Sequence, residues 1–317
     1  MELVEIREAI DKAIDNYLYE KEPPILYEAV KYLPQAGGKR LRPIIACLSC
    51  EAVGGEFIKA IPFGVSLEII HTFTLIHDDI MDKDEERRGM PSVHKKFGEN
   101  IAILAGDTLF AKAFEIASYT RDADVAKKIV HNIAVMSKEI CEGQEMDMRF
   151  EKMEYVEEMD FLKMIEKKTA KMFEYGAMGG AIIGRGNEEE QNSLREYGKN
   201  LGMAFQIWDD CLDVVGKDIG KPVGSDIRKG KKTLLYLYAY KNSEDKEWLK
   251  NYGKEKASDE EIEDIIKFFE ETGAIEYAKK RAFEYAEKAK KYLNKIEDSE
   301  AKRELLKMAE FAIKREK

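Results

Sequence analysis

Apolar residues recur at helical spacing along most of this chain, and the apolar–polar alternation that marks a strand is essentially missing. The pattern therefore predicts an all-α protein whose helices end where glycine and proline interrupt it. The segment 39–52 begins basic and becomes apolar, and the next helix is expected from about Ile58 to the interruptions at Gly89 and Pro91. Other helices are predicted over 3–19, 25–33, 100–119, 122–149, 155–184, 188–215, 233–240, 245–252, 259–271, 275–293 and 299–313.

Two clusters of aspartates with the spacing D-D-x-x-D lie inside predicted helices. They are Asp78, Asp79 and Asp82, and Asp209, Asp210 and Asp213. Residues four apart lie one above the other on a helix, so each cluster presents two carboxylates to one point in space. Stacked like charges destabilise a helix unless a cation lies between them, and Mg²⁺ is commonly held by one or two carboxylates plus substrate phosphates. The two clusters thus indicate two facing helices that hold a phosphate-bound metal.

One such cluster on an acidic surface helix is most often a solvated face, and 36% of this chain is charged. Here, however, apolar residues flank both clusters, among them Ile76, Ile80 and Met81 at the first and Trp208 and Leu212 at the second. Carboxylates that project from such helices face either a cavity or a large desolvation penalty. We therefore favour the metal interpretation over the solvated face.

Length and composition narrow the class of protein. A chain of 317 residues permits one large domain or two ordinary ones, and because no shift in composition marks a boundary we expect a single domain over residues 1–317. The net charge of −10 argues against a nucleic-acid-binding surface. We find neither an apolar run long enough to span a bilayer nor a leader, which indicates a cytoplasmic protein. The four cysteines fit buried free thiols better than a zinc site.

Basic residues occur in small groups suited to phosphate, which arginine binds bidentately and lysine binds as a point charge. The first group follows two glycines in GGKRLRP (37–43), where backbone amides and a helix N-terminus can approach an anion. The pairs in ERRG (86–89) and KKTA (167–170) are weaker signals alone. Residues 216–232 directly follow the second aspartate cluster and contain four glycines and six basic residues. This composition favours a mobile lid that brings positive charge to bound phosphate.

These motifs stand in the order GGKRLRP, EIIHTFTLIHDDIMD, ERRG, KKTA, FQIWDDCLD and GKPVGSDIRKGKKT. Their order and spacing over residues 37–233 resemble the trans-polyprenyl diphosphate synthase family. The resemblance implies an isoprenoid synthase-type fold, an all-α bundle or barrel of ten or more helices around a central cavity. It also implies head-to-tail condensation of isopentenyl diphosphate with an allylic diphosphate (dimethylallyl, geranyl or farnesyl). In that reaction an allylic carbocation forms as diphosphate departs, and no side-chain nucleophile is required.

The resemblance also implies a role for each matching residue. The six aspartates would hold Mg²⁺, three ions per active site, and Mn²⁺ would suit the same carboxylate and phosphate ligands. The allylic diphosphate would contact Arg87, Lys221 and Lys231. Isopentenyl diphosphate would contact Lys39, Arg42, His71 and Arg88. Lys168, Thr169 and Gln206 match residues that line the reacting centre and stabilise the carbocation.

The residues just before the first aspartate cluster bear on product length. In the family, bulky side chains there close the tunnel that receives the growing prenyl chain. Phe73 stands five positions before Asp78 and the smaller Thr74 four before it, with no insertion between Asp79 and Asp82. This combination resembles archaeal-type geranylgeranyl diphosphate synthases and predicts a C20 product. The alternative is a farnesyl diphosphate synthase or an enzyme that makes both C15 and C20 products.

Three other classes of protein share single features with the chain. A non-catalytic partner subunit would use the fold only to assemble and usually loses an aspartate cluster or basic motif, whereas all are intact here. An HD-type phosphohydrolase would need a histidine well upstream of His77-Asp78, and none precedes His71. A terpene cyclase would more typically carry an asparagine, serine and glutamate triad in place of the second cluster. The resemblance favours a homodimer that acts on small-molecule diphosphates.

Overall fold

The computed structural model describes residues 3–216 and 223–315, and these residues are almost entirely helical, as the apolar spacing predicted. The helices are α1 Leu3–Tyr17, α2 Pro24–Gln35, α3 Leu41–Ala52, α4 Phe57–Asp82, α5 Val93–Phe97, α6 Glu99–Ala117, α7 Ala123–Glu151, α8 Glu158–Ile165, α9 Lys171–Ile183, α10 Glu188–Val215, α11 Ser225–Lys229, α12 Leu234–Asn242, α13 Asp259–Glu271, α14 Ala274–Tyr292 and α15 Glu300–Lys314. A π-helical turn, Glu166–Ala170, lies between α8 and α9, and 3-10 turns occupy Glu247–Lys250 and Leu293–Lys295. Strands β1 Glu86–Arg87 and β2 Met90–Pro91 form an antiparallel hairpin.

Helices α10 and α13 have the ends that the sequence predicted. Both begin with acidic residues in the first turn, where the positive end of the helix dipole favours them. Helix α13 also has a capping box, in which Ser258 accepts from the amide of Glu261 and the Glu261 side chain accepts from the amide of Ser258. Local chemistry therefore accounts for where these two helices begin.

Helix α4 is shorter than predicted, because it ends at Asp82 and not near Gly89 and Pro91. Lys83 adopts a left-handed conformation with φ 57° and terminates the helix. The chain then enters the hairpin, whose two turn residues, Arg88 and Gly89, both have positive φ, as a type I′ turn requires. The prediction of one continuous helix up to the glycine and proline is therefore wrong.

Other predicted segments are also corrected. The helix expected over 155–184 is divided by the π-helical turn, and the one expected over 245–252 contains only a 3-10 turn. Helix α2 continues through Pro34 and does not stop before it. The proposed lid includes helix α11, while the segment 217–222, with Lys221, lies outside the described residues.

The chain divides into two compact units, and the first comprises Met1–Ser137, Tyr175–Arg195 and Lys295–Leu305. Its central element is α4, which packs against α3 and α6. Helix α4 is long and apolar enough to cross a membrane by length and composition alone, contrary to the expectation that no such run exists. Because 67% of its most apolar window is buried inside the protein, this is the composition of a core helix.

The second unit comprises Lys138–Glu174, Glu196–Asn294 and Leu306–Lys317. Helices α12 and α13 both pack against α14. Alanines recur on α14 with a spacing of four residues at positions 274, 278, 282 and 286, and all are buried. A stripe of small side chains lets neighbouring helices approach, and the aromatic side chains of Tyr236, Trp248 and Phe269 fill the adjoining core.

Candidate active site

In the first unit, the first aspartate cluster occupies the last turns of α4, and Asp82 is the final helical residue. Asp79 is only 1% exposed, whereas Asp78 and Asp82 are partly exposed. The C-terminal end of a helix carries partial negative charge, so three carboxylates at this end are unfavourable without a compensating cation. The position of the cluster on its helix therefore supports a cation-binding role.

The hairpin supplies one such cation to this cluster. Arg87 donates from Nε to Asp79 Oδ1 at 2.9 Å and from Nη2 to the same oxygen. Burial raises the pKa of Asp79 above its ordinary value, although the Arg87 guanidinium opposes that rise. Asp79 Oδ2 is buried and accepts no hydrogen bond from any described residue. A metal or a donated proton at this oxygen would satisfy it.

The GGKRLRP loop is organised by arginine side chains. Arg40, which has φ 51°, is buried and donates to Glu68 Oε1 at 2.8 Å, to Asp11 Oδ1 at 2.9 Å and to the Pro34 carbonyl at 2.7 Å. Arg88 of the hairpin donates to the Gly37 carbonyl. These contacts fix the backbone from which Lys39 and Arg42 project. Sequence reasoning did not select Arg40 or Glu68, although a glutamate in the apolar face of α4 was a visible signal.

Basic side chains surround His71 on α4. Burial, followed by the positive charges of Arg42 and Arg88, lowers the pKa of His71 well below its usual value. His71 is therefore neutral at neutral pH, with one ring nitrogen able to donate and the other to accept. Three of the four residues predicted for the isopentenyl diphosphate site thus lie close enough to interact electrostatically. Lys39 is exposed on the same loop.

The predicted tunnel residue Phe73 lies within an aromatic cluster formed by α4 and α6. Its ring centroid is 4.7 Å from that of His77 and 5.1 Å from that of Phe110, which in turn is 5.1 Å from Phe114. The neighbouring Thr74 donates from Oγ1 to the His71 carbonyl at 2.8 Å. Phe110 was not predicted, because a side chain from another helix gives no signal in the local motif.

In the second unit, the second aspartate cluster lies in the last turns of α10, again at the unfavourable end of a helix. Each of its members has a different partner. Asp209 Oδ1 accepts from Arg315 Nη2 at 3.0 Å, Asp210 Oδ1 accepts from Gln206 Nε2 at 2.9 Å, and Asp213 Oδ2 accepts from the Asp226 amide at 2.9 Å. Asp213 therefore ties this cluster directly to helix α11 of the proposed lid.

The π-helical turn carries Lys168 and Thr169. Thr169 Oγ1 donates to Gln206 Oε1 at 2.9 Å, and Gln206 continues the chain of hydrogen bonds to Asp210. Two of the residues predicted at the reacting centre are therefore in direct contact, and one of them contacts the second aspartate cluster. Single π-helical turns are rare and occur frequently at functional sites.

One buried carboxylate that sequence reasoning missed connects two predicted lysines. Asp147 Oδ2 accepts from Lys168 Nζ at 2.7 Å and from Lys231 Nζ at 2.8 Å. Burial alone would raise the pKa of Asp147, but the charges of Lys168 and Lys231 hold it below its usual value. Its position was a detectable signal, because Asp147 falls in the apolar stripe of α7 between Gly143 and Phe150.

Among residues 3–216 and 223–315, no group of three or more His, Cys, Asp and Glu side chains is arranged to hold a metal without other ligands. Mg²⁺ is usually bound by one or two carboxylates together with substrate phosphates and water, and does not require a cage made only of protein. The oxygen donors of both clusters, including the buried Asp79 Oδ2, fit such a metal. The donor set is therefore compatible with Mg²⁺ or Mn²⁺ that arrives with a phosphate ligand.

Comparison with known proteins places these motifs in a family context. Residues 23–269 match the family model described as polyprenyl synthetase. The chain is 45% identical to a geranylgeranyl pyrophosphate synthase of Geoglobus acetivorans over 97% of this chain and 96% of the relative. It is 43% identical to a geranylgeranyl diphosphate synthase of Methanosarcina mazei over 97% of this chain and 95% of that protein. A solved structure of geranylgeranyl pyrophosphate synthetase from Pyrococcus horikoshii superposes with a TM-score of 0.93 at 42% identity and covers 99% of this chain and 98% of that one.

Proposed function

Because the chain belongs to the polyprenyl synthetase family, we propose that it condenses isopentenyl diphosphate head to tail with an allylic diphosphate, with geranylgeranyl diphosphate as the main product. The observation that carries this proposal is the presence of aspartate clusters at the C-terminal ends of both α4 and α10, each beside cationic side chains. Such an arrangement suits a ligand that brings both metal and phosphate. The names of the relatives support the C20 product.

The aspartate clusters are proposed to hold the metal ions that come with the allylic diphosphate. Bound Mg²⁺ would neutralise the leaving diphosphate and so favour ionisation to an allylic cation. Arg87, which donates a hydrogen bond to Asp79, is proposed to contact the same diphosphate. Lys231 and Lys221 are proposed to add positive charge from the lid.

The loop containing Lys39 and Arg42, together with His71 and Arg88, is proposed to bind isopentenyl diphosphate. A neutral His71 among arginines can donate one hydrogen bond to a phosphate oxygen without adding to the repulsion between the cations. Arginine side chains would orient the diphosphate so that the double bond attacks the allylic cation, and the condensed cation would then lose a proton to the departing diphosphate. This arrangement assigns binding and orientation to the first unit.

Lys168, Thr169 and Gln206 are proposed to stabilise positive charge near the reacting carbons. The hydrogen bonds from Thr169 to Gln206 and from Gln206 to Asp210 fix the direction of the Thr169 and Gln206 side-chain dipoles. Fixed dipoles aimed at developing charge need no reorganisation during reaction. We further propose that residues 1–317 act as one domain, that the chain works as a cytoplasmic homodimer, and that its substrates are small diphosphates.

The direct test is to incubate the purified protein with Mg²⁺, labelled isopentenyl diphosphate and each of dimethylallyl, geranyl and farnesyl diphosphate. The products are then dephosphorylated and the chain lengths of the alcohols measured. Predominant C20 alcohol would support both the reaction and the chain-length assignment. Predominant C15, or C25 and longer, would retain the reaction and reject the assignment of Phe73. No metal-dependent condensation with any primer would reject the proposed function and favour a non-catalytic partner subunit.

Phe73→Ala separately tests whether this ring closes the tunnel that receives the growing prenyl chain. Removing this ring opens space beside Phe110 on α6, so we expect the product distribution to shift to longer alcohols. Phe283→Ala, which removes a ring that is 54% exposed on α14, should leave the products at wild-type length. The same chromatography measures both variants. Products of wild-type chain length from Phe73→Ala would show that Phe73 does not close the tunnel.

A further inference from the structure

The π-helical turn, Glu166–Ala170, is enclosed in the second unit by the segments of α7 and α10 that belong to this unit. Two glycines mark the places of closest approach. Gly143 lies on α7, and Gly202 lies on α10. Glycine in a helix interior costs about 1 kcal/mol relative to alanine, so its presence at both contacts calls for a physical reason.

That reason is a lack of space for a methyl group. A Cβ at Gly143 would lie 2.8 Å from Lys168 Cα and closer still to the Lys168 amide nitrogen. A Cβ at Gly202 would lie 2.6 Å from Ala170 Cα. Real Cβ atoms essentially never approach other heavy atoms this closely. The obstructing atoms are backbone atoms of the turn itself, so rotation of a side chain cannot relieve the clash.

Side-chain contacts tie the same turn to the same two helices. On the α7 side, Lys167 pairs with Glu142, and Lys168 pairs with Asp147. On the α10 side, Glu166 Oε1 is 2.9 Å from Lys199 Nζ, and Thr169 donates to Gln206 at 2.9 Å. The α7 partners flank Gly143 and the α10 partners flank Gly202. Each helix thus fixes the turn by one backbone contact and two side-chain contacts.

We propose that Gly143 and Gly202 are positioning residues that set the place of Lys168 and Thr169 by admitting the backbone of the π-helical turn between α7 and α10. The proposal rests on the reacting-centre role proposed above for Lys168 and Thr169. Neither glycine touches substrate; each acts through the turn. In a Gly143→Ala protein, the turn or α7 must move by roughly 1 Å to reach a favourable carbon–carbon separation.

A displacement of this size is large for catalysis, because misplacement of a reacting group by about 1 Å can reduce the rate 10²-fold. We expect Gly143→Ala and Gly202→Ala to lower kcat by about 10- to 100-fold per folded molecule. The KM for isopentenyl diphosphate should change less than twofold or so, since its proposed ligands lie on other elements. Amide hydrogen exchange of residues 166–170 should become faster in both variants, because the contacts that hold the turn are lost.

Gly180→Ala is the matched control. Gly180 lies on α9, and a Cβ there would lie 2.9 Å from the Ala46 carbonyl carbon and closer still to its oxygen, so the substitution introduces a comparable backbone clash with another element. The thermal stability of the Gly180→Ala protein should fall. The kcat of its folded fraction and the amide hydrogen exchange of residues 166–170 should stay at wild-type values. An equal loss of kcat in the control would overturn the proposal, because any internal clash would then have the same effect.

A double-mutant cycle separates positioning from general damage. In a Lys168→Ala/Thr169→Val background, Gly143→Ala should reduce kcat little further, because the groups that it positions are already absent. If Gly143→Ala lowers kcat in this background by the same factor as in the wild type, Gly143 acts elsewhere and the proposal is overturned. Wild-type kcat and exchange in both glycine variants would also overturn it. If the wild-type protein catalyses no condensation, the proposed function fails, and the hydrogen exchange of residues 166–170 alone decides whether the glycines place the turn.

Discussion

The two units hold the basic side chains of their candidate sites in different ways. In the first unit Arg87 donates to Asp79, and Arg40, which organises the loop of Lys39 and Arg42, donates to Glu68 and the Pro34 carbonyl. In the second unit the basic side chains are lysines, and Lys168 and Lys231 share one oxygen of Asp147. An arginine fork fixes direction as well as charge, whereas a lysine is a point charge on a flexible stem.

This difference assigns different physical tasks to the two regions. A network of arginines on carbonyls and carboxylates keeps its geometry before a ligand arrives, so the first unit is suited to fixed recognition of a diphosphate. Under the proposed function, the two lysines on one carboxylate would exchange it for a diphosphate oxygen by movement of their flexible stems. The second unit is therefore suited to a change of partner during the reaction.

The largest expected effect concerns the aspartate cluster that each unit has at the C-terminal end of a helix. We expect Asp78→Ala and Asp209→Ala each to lower kcat by about 10³-fold, because charge stabilisation by a metal is worth several kcal/mol. Condensation assays over a range of Mg²⁺ concentrations would measure this. Arg315→Ala, which keeps the Asp209 carboxylate but removes its partner, should cost much less. Near-wild-type activity for either alanine variant would mean that only one cluster binds metal.

Arg40→Lys tests whether fixed geometry in the first unit depends on the arginine fork. An ammonium group cannot reach Glu68, Asp11 and the Pro34 carbonyl together, and a buried group left without its partner costs about 1–3 kcal/mol. We expect the free energy of unfolding to fall by that amount and the KM for isopentenyl diphosphate to rise. Denaturant unfolding and substrate titration measure the two quantities.

Arg303→Lys is the control for this substitution, because Arg303 makes an exposed pair with Asp298. Exposed pairs contribute about 0–1 kcal/mol, so this variant should resemble the wild type. If Arg40→Lys were equally harmless, the buried network would not define the loop, and the contrast between the units would disappear.

Asp147→Asn tests the lysine arrangement of the second unit. Without the carboxylate, Lys168 and Lys231 lose their shared counter-charge and repel each other. We expect about a 10-fold loss in kcat/KM for the allylic substrate, equivalent to about 1.4 kcal/mol. Glu145→Gln, which removes the exposed partner of Arg149 on α7, should have little effect. Steady-state kinetics with each substrate varied would distinguish these results, and equal behaviour of the two variants would contradict a special role for Asp147.

The smallest predicted effect is a pH dependence contributed by His71. Its pKa is held well below the usual value by burial and by Arg42 and Arg88, whereas in the unfolded chain it is about 6.5. As pH falls below about 6.5, the unfolded chain binds a proton that the folded protein does not, so the free energy of unfolding decreases. At about pH 5.5 this amounts to at most about 1.4 kcal/mol.

When the pH is lowered from about 7.5 to about 5.5, the free energy of unfolding should therefore decrease less for the His71→Gln protein than for the wild type. Denaturant unfolding at both values measures the difference. His131→Gln, at an exposed position on α7, should retain the wild-type dependence. Parallel pH dependences of the wild type and His71→Gln would show that burial and the arginines do not lower the pKa of this histidine.

The sequence predicted those features that are set by local chemistry. The bounds of α10 and α13 were predicted correctly, and acidic first turns, with a capping box in α13, account for where these helices begin. The end of α4 was missed because Lys83, in a left-handed conformation, stops the helix without a glycine or proline. The aspartate clusters and basic groups were identified from their spacing and composition, the family resemblance supplied the role of each residue, and these roles remain predictions.

Their partners were harder to predict, because the contacts join positions distant in the sequence. Asp147 meets Lys231 across 84 positions, and Arg315 meets Asp209 across 106. The π-helical turn depends on Gly143 and Gly202, and neither glycine carries a local signal for a wide turn in another segment. Tertiary packing, not helix propensity, decides these features.

The π-helical turn also constrains how the length of this segment can vary. A π turn corresponds to an α-helix with one inserted residue, and each residue rotates an α-helix by about 100°. Loss of one residue from Glu166–Ala170 would restore a regular helix between α8 and α9 while changing which side chains face α7 and α10. Insertions and deletions, which surface loops accept readily, should therefore be excluded from these five positions for reasons of helical register.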